Sequence, residues 1–124
     1  MTEELVRCER DPRLRTRAMT PALIAYVVEK IVKGVAPRQV IAFGSRARGT
    51  AAEGSDLDLL VVNDGPLSNR EARRAIERLL MGRLFGVDLI VRRPEEIAAN
   101  LADGNPFYTR HVFGEGQVVY ERAT

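Results

Sequence analysis

The sequence predicts an α/β fold in which helices alternate with short strands. Its 124 residues are enough for one packed core, and 45% of them are hydrophobic, as in ordinary globular proteins. Apolar residues repeat at helical spacing after Thr20-Pro21, whereas shorter runs rich in β-branched residues have the length of strands. We therefore expect a single domain over residues 20–124, preceded by an N-terminal extension over residues 1–19.

The predicted elements begin with a helix. Thr20 is a good N-cap, Pro21 suits the first helical position, and Gly34 and Pro37 end the apolar repeat. Further helices are predicted from Ser68 or Asn69 to about Arg83, from Pro94 to about Asp103, and within Asn105–Gly114. Strands are predicted over Gln39–Phe43, Asp56–Val62, Phe85–Val91 and Gln117–Tyr120.

Two charged regions have a simple interpretation. Residues 1–19 mix arginines with carboxylates, and we interpret them as a solvated arm. The helix after Ser68 has a basic side opposite its apolar one, which we interpret as a solvated face. This side carries Arg70, Arg73, Arg74 and Arg78. His111, the only histidine, is interpreted as a packing or surface residue.

The composition excludes several classes of protein. A net charge of +2 is too small to indicate nucleic-acid binding. The single cysteine, Cys8, permits no internal disulfide and is typical of a reducing cytoplasm, and together with His111 it is too little for a zinc site. No apolar run approaches the roughly 20 residues of a membrane span, and residues 1–11 lack the apolar core of a signal peptide. We expect a cytoplasmic protein with no membrane association and no direct nucleic-acid contact.

Three aspartates stand out against apolar strands. Asp56 and Asp58 are two residues apart in a predicted strand, so they project to the same face while the residues between and after them face the core. Asp88 interrupts the apolar run Phe85–Val91, where a buried carboxylate would need a partner or a metal ion. If the two strands are neighbours, the three carboxylates converge. Such a set suits hard cations such as Mg²⁺ and phosphoryl transfer.

A glycine-serine turn precedes these aspartates. Gly44 follows a strand and lets the backbone approach a phosphate closely, while Ser45 supplies a hydroxyl at the start of a helical turn whose amides favour anions. Arg46 and Arg48 either pair with a triphosphate or face solvent. The turn alone, or the Asp-x-Asp pair alone, is weak evidence. Their combination on three successive strands is much more specific.

The combined motif resembles a known signature. Gly44-Ser45-Arg46-Ala47-Arg48-Gly49 followed by Ser55-Asp56-Leu57-Asp58-Leu59 is similar to the motif of the DNA polymerase β-type nucleotidyltransferase superfamily, and the resemblance covers about Thr20 to Tyr120. The short chain resembles the minimal nucleotidyltransferases (MNT), which are the antitoxin partners in HEPN–MNT toxin–antitoxin pairs. This resemblance implies a small mixed β-sheet flanked by helices.

The resemblance also implies a site and a reaction. Asp56 and Asp58 would hold two Mg²⁺ ions, with Mn²⁺ as an alternative, and Asp88 would complete the metal site and assist deprotonation of the attacking hydroxyl. Gly44 and Ser45 would bind the β- and γ-phosphates of ATP. The hydroxyl would attack the α-phosphorus, pyrophosphate would leave, and AMP would be transferred. In HEPN-paired members the acceptor is a tyrosine of the HEPN toxin, an RNase, and its AMPylation blocks toxicity.

Three functions remain open at this point. The first is a protein adenylyltransferase whose partner is a HEPN-type toxin encoded by an adjacent gene. The second is a non-catalytic antitoxin that neutralises the toxin by covering its active site. The third is nucleotidyl transfer to a small molecule or an RNA end, which ranks last because about 33 residues follow Val91, too few for an added acceptor-binding domain. Residues 1–19 depart from the family pattern, and partner contact is one option for them.

Overall fold

The computed structural model describes residues 11–44 and 56–123 of the chain. The strands are β1 (Gln39–Phe43), β2 (Leu57–Val62), β3 (Val87–Arg92) and β4 (Gln117–Glu121). The helices are α1 (Pro21–Val35), α2 (Asn69–Leu79) and α3 (Pro94–Ala102), with a 3₁₀ turn at Pro12–Leu14 and a π-helical segment at Phe107–Val112. None of the helices in these two stretches combines the length and the apolar composition needed to cross a bilayer.

The four strands form one mixed sheet in the order β3-β2-β1-β4. β1 is antiparallel to both β2 and β4, whereas β2 and β3 run parallel and are joined through α2. As a result, the C-terminal end of β1 and the N-terminal ends of β2 and β3 lie at the same end of the sheet, which we call the site end. A mixed sheet flanked by helices is the fold class that the sequence and its resemblance predict, and it is confirmed.

Both faces of the sheet are covered. On one face, alternate strand residues such as Leu59, Val61 and Leu89 pack with the apolar sides of α1 and α2 in the main core. On the other face, Leu60 and Val62 pack with α3 and the π-helical segment in a second cluster. Successive side chains of a strand point to opposite faces, so a strand that is buried on both faces has an apolar residue at nearly every position. Two of the polar strand residues, Asp58 and Asp88, lie at the site end, where the second cluster ends.

Local capping signals explain where the helices begin and end. The Thr20 hydroxyl accepts a hydrogen bond of 3.1 Å from the Leu23 N–H, and Ala36, in the left-handed region at φ 46°, closes α1. At the start of α2, the Ser68 hydroxyl accepts from the Glu71 N–H at 3.1 Å, and the Glu71 carboxylate accepts from the Ser68 N–H at 3.0 Å. Both helix starts are as the sequence predicts.

Several predicted boundaries shift by a few residues. Helix α2 ends at Leu79 instead of continuing to Arg83, because the chain turns at Gly82, which has φ 89°. β2 begins at Leu57 and β3 begins at Val87, since these two residues start the parallel ladder. The short helix expected within Asn105–Gly114 is the π-helical segment.

The described part of the N-terminal extension is not simply a solvated arm. Leu14, in the 3₁₀ turn, is fully buried in the main core. The Asp11 carboxylate accepts hydrogen bonds from the Tyr26 hydroxyl at 2.5 Å and from the Lys30 ammonium at 2.6 Å, both on α1. Residues 11–14 are therefore held to the domain by the burial of Leu14, by the Asp11–Lys30 ion pair and by the hydrogen bond from Tyr26 to Asp11.

We expect the Asp11 ion pair to give the protein a defined acid sensitivity. Burial raises the pKa of Asp11, but hydrogen bonds from Lys30 and Tyr26 more than offset this, and the pKa lies below its ordinary value. A carboxyl group whose pKa is lower in the folded state stabilises the fold at pH values above its unfolded-state pKa of about 3.9. This contribution is lost as the pH falls through the folded-state pKa. Asp11→Asn should therefore lower the free energy of unfolding at pH 7 by about 1–2 kcal/mol. In urea titrations the difference from the parent should shrink below about pH 4; a constant difference would contradict this.

Candidate functional site

The strand register places two of the predicted site carboxylates next to each other. Asp58 of β2 is paired with Asp88 of β3 on one side and with Phe43 of β1 on the other. Residues opposite each other in a ladder point to the same face, which for Asp58 and Asp88 is the face of the second apolar cluster. Asp88 is exposed and Asp58 is half-buried. The two aspartates therefore form a carboxylate pair at the open site end of the sheet.

Gly44 leaves the space that the Asp58 carboxylate occupies. Its φ of 77° lies in the left-handed region, which residues other than glycine rarely adopt. A β-carbon at position 44 would overlap a carboxylate oxygen of Asp58 and lie 3.1 Å from its carboxyl carbon. The glycine of the predicted phosphate-binding turn thus lies directly against one of the predicted metal ligands.

Gly86 has the same relation to Asp56. The Leu57 N–H donates a 2.9 Å hydrogen bond to the Gly86 carbonyl, so position 86 lies opposite position 56, one step before the parallel ladder. A β-carbon at position 86 would overlap the Asp56 carboxylate, with 2.6 Å to its carboxyl carbon. Gly86 is not among the site residues that the sequence predicts. Its only signal is a glycine immediately before an apolar strand.

The three carboxylates share the site end, but they do not form one compact ligand group. Within residues 11–44 and 56–123, no set of three or more His, Cys, Asp or Glu side chains is close enough together to hold a metal ion. Asp88 is exposed, contrary to the expectation of a buried carboxylate, because nothing in the second cluster covers the start of β3. The assignment of Asp56, Asp58 and Asp88 as a joint metal site therefore stays a prediction.

The Asp58–Asp88 pair nevertheless suits a hard cation. Like charges placed directly opposite each other in a ladder repel, and a cation between them would relieve the repulsion. Mg²⁺ needs only one or two protein carboxylates, because substrate phosphates and water complete its octahedron. Asp58 and Asp88 are the residues that would hold such an ion, with Asp56 at the same end of the sheet.

The remaining predicted residues divide into two groups. Ser45, Arg46 and Arg48 lie outside the described residues. His111 is placed as a packing residue, as the sequence predicts: its ring centroid is 5.4 Å from that of Phe43 and 5.6 Å from that of Phe107. Because Phe43 pairs with Asp58 in the ladder, this aromatic cluster supports the β1 side of the site end.

Similar solved structures share little sequence identity with this chain. A candidate nucleotidyltransferase from Sulfolobus solfataricus superposes with a TM-score of 0.54 at 22% identity, covering 98% of this chain and 86% of the other. A toxin-antitoxin structure with AMP-PNP gives a TM-score of 0.49 at 17% identity, covering 79% of this chain and 73% of the other. A comparison with curated protein sequences finds no match.

The sequence itself gives the family. A model of the nucleotidyltransferase domain matches residues 24–117, which run from α1 to the first residue of β4 and include the Gly44 turn and all three aspartates. The matched stretch also contains the parallel pair β2 and β3 that aligns Asp58 with Asp88. The chain belongs to the nucleotidyltransferase domain family.

Proposed function

We propose that the protein is an active, Mg²⁺-dependent nucleotidyltransferase that transfers AMP from ATP to a hydroxyl of a partner protein. The observation that carries the proposal is the alignment of Asp58 with Asp88, with Gly44 closely packed against Asp58. Two carboxylates and a glycine that would let a phosphate approach, all at one end of a sheet, suit phosphoryl transfer. Family membership supports nucleotidyl transfer as the reaction class.

The proposed reaction makes one bond and breaks one bond. The acceptor oxygen forms a bond to the α-phosphorus of ATP, the bond from that phosphorus to the bridging oxygen breaks, and pyrophosphate leaves with the electron pair. The acceptor proton passes to a carboxylate, for which Asp88 is the candidate because it is exposed at the β3 side of the pair. Mg²⁺, when bound, supplies Lewis-acid stabilisation of the charge that develops on the phosphate oxygens.

For the acceptor, we propose a tyrosine of a HEPN-type toxin, with the protein acting as its antitoxin in the cytoplasm. This part of the proposal rests on the resemblance of the short chain, with its superfamily motifs at residues 44–49 and 55–59, to the minimal nucleotidyltransferases of HEPN pairs. The intact set of aspartates favours a catalytic antitoxin over one that only covers its partner, because a pure binding surface has no need of aligned carboxylates.

The test is transfer of label to the product of a neighbouring gene. The purified protein is incubated with that product, Mg²⁺ and ATP labelled at its α-phosphate, and we expect label on the partner. ATP labelled at its γ-phosphate is the matched control and should give none, because that phosphate leaves in pyrophosphate. Label from the γ-position, or none from the α-position, would contradict nucleotidyl transfer. A variant that has lost transfer yet still neutralises the partner in cells would favour the binding-only function.

A further inference from the structure

One side of helix α2 carries a stripe of arginines that begins at the far end of the sheet and runs toward the site end. Arginines at positions 70, 73, 74 and 78 follow the spacing of a single helical stripe, and all four are exposed. Together with Glu77 they line one side of a groove of about 1050 Å³. Residues 81–86, which include Arg83, line the rest of it. We call this feature the arginine groove. Its solvent exposure agrees with the solvated face that the sequence predicts, but the sequence does not predict a groove.

The arginine groove carries an excess of positive charge. Glu77 pairs with Arg83, at 3.3 Å between the carboxylate and the guanidinium. No carboxylate in the described stretches forms an ion pair with the four stripe arginines. Five arginines and one glutamate therefore leave the groove strongly positive, although the whole chain has a net charge of only +2. Such local charge favours an anionic ligand.

The arginine groove is continuous with the carboxylate site. It ends at Gly86, the residue against which the Asp56 carboxylate lies. Arg70 and Arg73 also line a second cavity, of about 330 Å³, which contains Asp88 and runs along the free side of β3. From β1 across the sheet, the order is thus Gly44, Asp58 and Asp88, followed beyond the free edge of β3 by Arg70 and Arg73.

This order separates two approaches to the carboxylates. Gly44, the predicted phosphate-binding turn, lies on the β1 side of Asp58, so the nucleotide approaches from there. The β3 side, beside Asp88, is left for the acceptor hydroxyl. An acceptor that reaches Asp88 from outside the sheet passes Arg70 and Arg73.

We propose that the arginine groove docks an acidic segment of the partner protein and delivers its acceptor hydroxyl to the Asp88 side of the site. An acidic segment is favoured because its negative charges complement the arginines that line the groove. Met81 and Leu84, 44% and 51% exposed, add apolar surface to the groove, which suits a polypeptide better than a nucleic acid. Phe85, the aromatic residue in the lining, is buried and offers no stacking platform. The inference rests on the proposed function, because it assumes a protein acceptor.

The probe is a fluorescent random copolymer of glutamate and tyrosine, which offers carboxylates and hydroxyls together. Its binding is measured by fluorescence anisotropy without ATP, so the result does not depend on catalysis. The double variant Arg70→Glu/Arg73→Glu should weaken binding by about tenfold or more. Arg17→Glu/Arg38→Glu is the matched control: it changes the charge equally, both arginines are exposed, and neither lines the arginine groove or the cavity that contains Asp88. It should stay within about twofold of the parent protein.

Two results would overturn the docking proposal. Equal losses in both double variants would mean that net charge alone drives binding. Tighter binding of a single-stranded oligonucleotide, lost in Arg70→Glu/Arg73→Glu, would assign the groove to nucleic acid. Arg70→Gln/Arg73→Gln repeats the test with a smaller charge change and checks against misfolding. If copolymer binding behaves as expected but no AMP is transferred to any protein, the proposed function fails and the docking groove stands.

Discussion

Replacing Asp58 by asparagine should lower the rate of nucleotidyl transfer by about 10³-fold, the scale on which single groups that stabilise transition-state charge act. The asparagine side chain would keep the size and shape of the aspartate against Gly44 but would lose the negative charge next to Asp88. The site would then offer one carboxylate fewer to hold a Mg²⁺ ion. The loss should appear in kcat rather than in the KM for the acceptor.

The control for Asp58→Asn is the same change at an exposed position away from the site. Asp103 follows α3, is exposed, and lies in neither apolar cluster. Asp103→Asn should transfer AMP at the parental rate, measured with ATP labelled at the α-phosphate. Thermal unfolding of both variants reports whether the fold is kept. Parental transfer by a folded Asp58→Asn protein would remove Asp58 from the site.

Replacing Gly44 by alanine should combine a moderate loss of stability with a large loss of activity. For an alanine at φ 77°, the left-handed conformation costs about 1–2 kcal/mol. Its β-carbon would also displace the Asp58 carboxylate, and a misplacement of about 1 Å in a catalytic constellation costs about 100-fold in rate. Denaturant unfolding and the transfer assay measure the two effects separately.

Gly104 offers a matched control for this substitution. Its φ of 72° is nearly that of Gly44, but a β-carbon there would meet nothing within 4 Å. Gly104→Ala should therefore show a similar loss of stability and full activity. If both alanine variants keep full activity, the close packing of Gly44 on Asp58 has no role in catalysis. If both lose it equally, the loss comes from destabilisation.

The sequence predicts well those features that depend on neighbouring residues. Thr20 and Ser68 mark helix starts because a side-chain cap acts within one turn, and β1 has the predicted bounds because Gly44 ends an apolar run. The Asp-x-Asp pair is visible because strand alternation is a local rule. The resemblance to the family is visible for the same reason, since its motifs lie within residues 44–59, inside the matched range.

Features that depend on distant residues are predicted poorly. Asp88 is exposed because the second cluster does not extend over the start of β3. No local sequence pattern shows where a cluster formed by distant residues ends. Leu14 is a single leucine among charged residues, and only the folded core shows that it is buried. The role of Gly86 requires the register between β2 and β3, and a glycine before a strand otherwise indicates only a turn.

The parallel pairing of β2 and β3 also limits how this protein can evolve. A one-residue insertion in β3 before Asp88 would turn that carboxylate to the face where Leu89 and Val91 now pack, and would expose an apolar residue at the site. Such a change would damage catalysis and folding together, so substitutions and insertions in this strand are constrained by both. Length variation in homologues should instead accumulate at turns such as residues 64–67, outside the ladder, where added residues leave the register intact.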